Sequence, residues 1–120
     1  MNRERLQQMV TMLRELPVDG MIGFDLANWY DADHPCGTAA CAVGHACLNP
    51  VFNAQGLTLD RGILFESPKF GDSHGWDAVE VFFGLEPSDA KFFFCEDSYE
   101  ERAPTAVQVA DRVERFMAEV

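Results

Sequence analysis

The chain has 120 residues, of which 48% are hydrophobic and ten are Phe, and 20 acidic against nine basic residues give it a net charge of −11. This length and apolar fraction are typical of one globular domain with its own core, and they exclude an intrinsically disordered chain. No apolar run approaches the roughly 18 residues that a membrane span requires, and the excess of carboxylates excludes direct binding to nucleic-acid phosphates or to an anionic membrane.

The first part of the chain predicts two helices separated by an extended segment. Apolar residues recur at helical spacing over residues 2–16, and a proline and a glycine end that pattern. Residues 21–31 lack a clean period and predict an extended segment with aromatic anchors. A second helix is predicted over residues 37–48, with Thr38 or Cys36 as its N-terminal cap.

The middle of the chain predicts one small β-hairpin. Residues 57–59 and 63–65 are short apolar segments on either side of a turn in which Gly62 supplies a positive φ. A loop rich in Gly, Pro and Ser is expected over residues 66–73. Its last residue, Ser73, is the predicted cap of a helix over residues 74–83.

Two further helices complete the predicted fold. Pro87 opens a short helix that carries Phe92–Phe94, and one helical face cannot bury three successive rings. One ring is therefore expected either at the surface or in a second core contact. Thr105 and Gln108 form a capping box at the start of a helix that continues to the end of the chain. The sum is an α+β fold, mostly α, with about four to five helices and one small β-hairpin in a single domain.

Residues 34–47 hold three of the four cysteines and two of the three histidines, side chains that bind soft metals or act as nucleophile and base near neutral pH. His34 and Cys36 lie before the predicted helix, and Cys41 and His45 lie four residues apart on it. Together they would give the two-Cys, two-His composition of a structural zinc site. Alternatively, Cys36 at the helix N-terminus would have a lowered thiol pKa and act as a nucleophile, with one of the three histidines as its base.

The same segment also predicts tight helix packing, because glycine and alanine dominate residues 37–46. A buried free cysteine behaves as a small hydrophobic residue, so Cys41 and Cys47 would fill space that a larger side chain could not enter. Glycine inside a helix is less stable than alanine by roughly 1 kcal/mol, which predicts that Gly44 is retained for a close backbone contact. We favour packing over a metal or catalytic site, and we expect no cofactor.

Two motifs give the chain a resemblance to a known group. Phe24-Asp25-Leu26 and Trp29 form a Phe-Asp-x-x-x-Trp lead, and residues 36–44 form a Cys-Gly-Thr-x-x-Cys-x-x-Gly core. The chain thereby resembles a group of small uncharacterised bacterial and phage proteins. The resemblance implies no chemistry, since no activity is established for that group. The position of His45 is often Trp there, which favours packing over metal binding.

The charge distribution directs the expected function. Residues 19–101 hold fifteen acidic side chains against Arg61, Lys69 and Lys91, a net charge of −12. Such a surface attracts a basic partner. We therefore expect a small acidic protein that binds another macromolecule without catalysis, with a basic protein as the candidate partner. Alternatively, the negative charge serves only solubility. A Cys/His metal-site or thiol enzyme is the alternative, and an acidic mimic of nucleic acid is a third hypothesis.

The charged N-terminal segment is not a signal peptide, so we expect the protein in the cytoplasm, where thiols stay reduced. The short connection before Pro87 invites comparison with a DNA-binding helix-turn-helix motif. Its second helix offers only Lys91 among acidic neighbours, so no direct binding to nucleic acid is expected. The sequence makes no prediction of the oligomeric state.

Overall fold

The computed structural model describes residues 1–17, 22–31, 39–61 and 66–119. Over these residues it is an α+β fold in which helix predominates, as the sequence predicts. The α-helices are α1 (Arg3–Glu15), α2 (Ala42–Cys47), α3 (Pro50–Asn53), α4 (Trp76–Phe83), α5 (Pro87–Phe94) and α6 (Ala106–Glu119). A 3-10 helix over Glu96–Ser98 follows α5.

Short strands form two three-stranded sheets in the described residues. They are β1 (Gly23–Phe24), β2 (Tyr30–Asp31), β3 (Ala39–Ala40), β4 (Leu57–Arg61), β5 (Glu66–Phe70) and β6 (Ser73–His74). In the first sheet β3 lies between β1, to which it is parallel, and β2, to which it is antiparallel. In the second sheet β5 lies between β4 and β6, and both pairs are antiparallel. The sequence does not predict the first sheet.

The core lies between the two terminal helices and the Phe-rich middle of the chain. The largest fully buried side chains come from α1 and from the phenylalanines: Phe52, Phe82, Phe83, Phe93, Phe94, Leu6, Met9 and Leu13. Arg5 lies across this core, with its guanidinium 4.1 Å from the centre of the Phe82 ring and an Nη1 hydrogen bond of 2.9 Å to the Phe82 carbonyl oxygen. The guanidinium of Arg5 thus stays hydrogen-bonded while the methylene groups of its side chain cover apolar surface.

Two sequence predictions about the last helices are confirmed. The Gln108 N–H donates to Thr105 Oγ1 at 3.2 Å, and the Thr105 N–H donates to Gln108 Oε1 at 2.8 Å, which is a complete capping box. Of the three rings in α5, Phe92 is 42% exposed and the other two are buried. The helix that the capping box begins buries Val113 fully in the core.

The predicted helix over residues 37–48 is wrong at its start. Ala39–Ala40 form β3, and α2 begins only at Ala42. Its cap is neither Thr38 nor Cys36, because Cys41 Sγ accepts the hydrogen bond from the Gly44 N–H at 3.3 Å. Backbone pairing on both sides of β3 outweighs the helix propensity of alanine, which is a weak preference.

The loop predicted over residues 66–73 is also wrong. Glu66–Phe70 form β5, and Pro68 lies just beyond the two residues of β5 that pair with β6, at the end of that pairing, where a proline is tolerated. Ser73 lies in β6, and Gly75, with a φ of 62°, is the residue before α4.

The first strand of the predicted hairpin is confirmed within β4, and the predicted strand over residues 63–65 lies outside the described residues. The turn residue Gly62 lies outside them as well. Among the residues that the structure describes, no helix is both long enough and apolar enough to cross a membrane.

Candidate binding site

The segment between β1 and β2 is a tight turn fixed by its own aspartate. Asp25 Oδ1 accepts a hydrogen bond from the Ala27 N–H at 3.0 Å, and Oδ2 accepts one from Asn28 Nδ2 at 3.1 Å. The Asn28 N–H in turn donates to the Asp25 carbonyl oxygen at 3.3 Å. Asp and Asn favour such turns because their short side chains reach nearby backbone groups. The turn places Trp29 against α2.

The turn and α2 meet through their backbones. The Cys41 N–H donates to the Asn28 carbonyl oxygen at 2.8 Å, and Cys41 Sγ lies 4.0 Å from the Trp29 carbonyl oxygen. A Cβ on Gly44 would lie 2.9 Å from the Trp29 carbonyl carbon and 3.0 Å from Ala40 Cβ, and closer still to the Trp29 carbonyl oxygen. The close contact predicted for Gly44 is therefore confirmed. The Phe-Asp-x-x-x-Trp lead and the Cys-x-x-Gly core are two sides of one packing seam.

The two described cysteines of this segment are buried. Cys41 is 1% and Cys47 is 4% exposed, and burial raises the pKa of each thiol to about 12. Thiols that are protonated at neutral pH are poor nucleophiles. His34 and Cys36 lie outside the described residues, so the zinc site they would form with Cys41 and His45, and the Cys36 nucleophile, stay predictions. Within the described ranges, no three His, Cys, Asp or Glu side chains form a group that would hold a metal ion.

His45 lies where α2 meets β1. Its Nε2 is 2.8 Å from the Gly23 carbonyl oxygen, and its ring stacks on Phe24 with the ring centres 6.0 Å apart. Burial lowers the pKa of His45, so the imidazole is neutral at pH 7 and donates its Nε2 hydrogen to that carbonyl.

His45 and Phe24 belong to the wall of a groove of about 630 Å³ between the end of α1, β1 and the chain that enters α6. The wall is mostly apolar and includes Leu13, Leu16, Pro17, Ile22, Leu26, Ala103, Pro104, Ala106 and Val107. Its charged members are Asp25, Glu96 and Arg14. Arg14 is ion-paired with Asp111 at 2.8 Å and with Glu114 at 3.3 Å, so its positive charge is offset outside the groove lining.

No protein-family model, no curated protein and no solved structure matches this chain. The kind of ligand that the groove could hold is therefore inferred from its own side chains. Its size and apolar lining are those of a site that holds an apolar side chain or a small ligand, with a few polar groups to orient it.

A second cavity, of about 280 Å³, adjoins the groove, and Leu26 and Glu96 line both. Its aromatic wall is Trp29 and Trp76, whose ring centres lie 4.9 Å apart at an angle of 63°. These are the chain's only two tryptophans. Glu96 and Asp97, which are adjacent in the chain, also line this cavity. We call this space the tryptophan cavity.

Arg112 of α6 contacts the segment that carries Glu96 and Asp97, the two acidic residues that line the tryptophan cavity. Its Nη1 donates to the Ser98 carbonyl oxygen at 3.0 Å and to Ser98 Oγ at 3.1 Å. Its guanidinium lies 3.6 Å from the centre of the Tyr99 ring. These contacts fix the 3-10 helix that carries Glu96 and Asp97, so both carboxylates are presented from an ordered segment.

Sequence reasoning singles out neither Trp76 nor the pair Glu96 and Asp97. Cys95 is half-buried and also lines the tryptophan cavity. The sequence contains one weak signal of this cavity. Tryptophan has an apolar body and a polar edge and is enriched at binding surfaces, and the chain has only two tryptophans.

Proposed function

We propose that this chain is a non-catalytic binding protein of the cytoplasm, and that its partner is a basic protein that inserts an apolar side chain into the groove. The observation that carries the proposal is the groove of about 630 Å³, with a mostly apolar wall and with Asp25 and Glu96 among its few charged members. Its interior would bury an apolar side chain, and its carboxylates would favour basic residues on either side of that anchor.

The charge of the chain supports a basic partner. The net charge is −11, and residues 19–101 alone carry −12. Complementary charge raises the association rate and disfavours acidic competitors, although it adds less to affinity. Arg14 does not oppose a basic segment, because its charge is offset by Asp111 and Glu114.

The described cysteines of residues 34–47 and His45 support binding over catalysis. The thiols of Cys41 and Cys47 have a pKa of about 12 and are buried, and His45 is hydrogen-bonded to the Gly23 carbonyl oxygen. A general base or nucleophile must reach the reacting atom in its active protonation state. The described cysteines are free, which is consistent with a reducing compartment.

The test is a titration of the protein with short synthetic peptides that contain one leucine among arginines. Replacing the leucine by serine should weaken binding about tenfold or more, because burying a leucine contributes about 1.5–3 kcal/mol. Affinity should also fall as the NaCl concentration rises from about 50 mM to about 500 mM, because salt screens the attraction. Peptides with glutamate in place of arginine should not bind.

Ala103→Trp supplies the matched variant, because Ala103 is exposed and a larger side chain there would occupy the groove. Ala54 is also exposed but lines neither cavity, so Ala54→Trp is the control. We expect A103W to abolish peptide binding and A54W to bind as the parent does. The proposal is overturned if the leucine-arginine peptides do not bind, if both variants bind them equally, or if salt has no effect.

A further inference from the structure

The tryptophan cavity combines an aromatic wall with carboxylates that are not engaged within the fold. Its lining includes the aromatic pair Trp29 and Trp76 and the acidic pair Glu96 and Asp97. In the described part of the chain, neither carboxylate forms an ion pair or a side-chain hydrogen bond. No basic side chain is among the described residues that line this cavity. Among the described residues, the cavity therefore holds two carboxylates beside aromatic rings and no basic side chain.

This combination suits a guanidinium group. A cation within about 6 Å of an aromatic ring centre is attracted by the electrons of the ring face, and tryptophan attracts it most strongly. A guanidinium is planar and weakly hydrated, so it stacks on a ring while its N–H groups point at a carboxylate. The ammonium of lysine is a strongly hydrated point charge and lacks that geometry.

The fold uses the same chemistry internally. The guanidinium of Arg5 lies 4.1 Å from the centre of the Phe82 ring, and that of Arg112 lies 3.6 Å from the centre of the Tyr99 ring. In both places an arginine of the chain itself covers the aromatic face. At the tryptophan cavity the rings and the carboxylates are present, and no arginine is among the described residues that line it.

We propose that the tryptophan cavity binds an arginine side chain of the partner, with its guanidinium against the tryptophan rings and paired with Glu96 and Asp97. The source of this arginine rests on the proposed function. Because Leu26 and Glu96 line both the cavity and the groove, the arginine lies next to the apolar side chain that the groove holds. The partner segment therefore carries an arginine and an apolar residue close together.

Tryptophan fluorescence is a selective readout, because both tryptophans of the chain line this cavity. The probe is N-acetyl-arginine methylamide, and its citrulline analogue is the control because it has nearly the same shape and no charge. We expect the arginine amide to change the fluorescence in a saturable way. The citrulline amide should bind about tenfold more weakly, and the lysine amide should fall between them.

The matched variants remove the negative charge of the two carboxylates that line the cavity. The double substitution Glu96→Gln and Asp97→Asn should weaken binding of the arginine amide about tenfold. Glu100 is exposed and lines neither cavity, so Glu100→Gln should stay within about twofold of the parent. Circular dichroism confirms that each variant is folded. Equal fluorescence titrations with arginine and citrulline amides, or equal losses in E100Q and in the double variant, would overturn the inference.

The two proposals fail separately. If Ala103→Trp abolishes peptide binding but citrulline replaces arginine in the peptide without loss, the cavity does not bind arginine and the proposed function stands. If the arginine amide binds in the cavity while no peptide binds in the groove, the proposed function is overturned and the arginine site stands.

Discussion

Gly44→Ala tests the packing seam on which the candidate site depends. The new Cβ would lie 2.9 Å from the Trp29 carbonyl carbon and 3.0 Å from Ala40 Cβ, and closer still to the Trp29 carbonyl oxygen. Since the obstructing atoms are mainly backbone, the contact is relieved only if the turn moves away from α2. Overpacking of this kind costs about 1–3 kcal/mol, and a backbone obstruction belongs at the upper end. Alanine regains about 1 kcal/mol of helix propensity, so the expected net loss is about 2 kcal/mol.

Urea denaturation of G44A and the parent measures this loss directly, and a chain of this size should also melt about 8 °C lower. Gly71→Ala is the control, because Gly71 has a φ of 60° and no atom would lie within 4 Å of its new Cβ. It should lose only about 1–2 kcal/mol, from left-handed backbone strain, without altering tryptophan fluorescence. G44A should alter the fluorescence because Trp29 is displaced. A G44A protein as stable as the parent would refute the seam.

Two further predictions concern the core and pH. Val113→Asp should lower the free energy of unfolding by about 3–5 kcal/mol, because Val113 is 0% exposed. Val107 lies on the same helix and is 51% exposed, so Val107→Asp should change that free energy by about 0.5 kcal/mol at most. Equal losses in urea denaturation would contradict the packing of α6. His45→Gln should make the free energy of unfolding less dependent on pH on the acid side. In the parent, the unfolded chain binds a proton at His45 below the ordinary pKa of 6.5 while the buried His45 does not, so stability falls as the pH falls below that value. Identical parent and H45Q profiles between about pH 7 and about pH 5 would contradict the burial of a neutral imidazole.

The elements that the sequence predicts well are those with local signals. The helix over α1 has a regular apolar stripe, and α6 begins at a capping box whose two hydrogen bonds, between Thr105 and Gln108, are present. Both signals lie within a few residues of the structure they specify, so no distant part of the chain is needed to interpret them. The exposure of Phe92 follows in the same way, because three successive residues cannot share one helical face.

The elements that the sequence predicts badly depend on distant pairing. Ala39 and Ala40 have high helix propensity, yet they pair with β1 on one side and with β2 on the other. Pro68 argues against a central strand, yet β6 is too short to reach it. In both places a backbone partner elsewhere in the chain decides the structure, and a single sequence does not contain that pairing in a local pattern.

The candidate site could not be predicted from the sequence for the same reason. The Gly- and Ala-rich segment favours either a chemical site or a packing seam when only its own residues are considered. In the structure, the seam between Cys41, Gly44 and the turn that Asp25 closes is what sets the position of Trp29. Trp29 in turn forms one wall of the tryptophan cavity, together with Trp76. In the proposed arginine site the motif would contribute through its packing, and displacement of the seam in G44A should weaken binding of the arginine amide by more than the loss of stability alone explains.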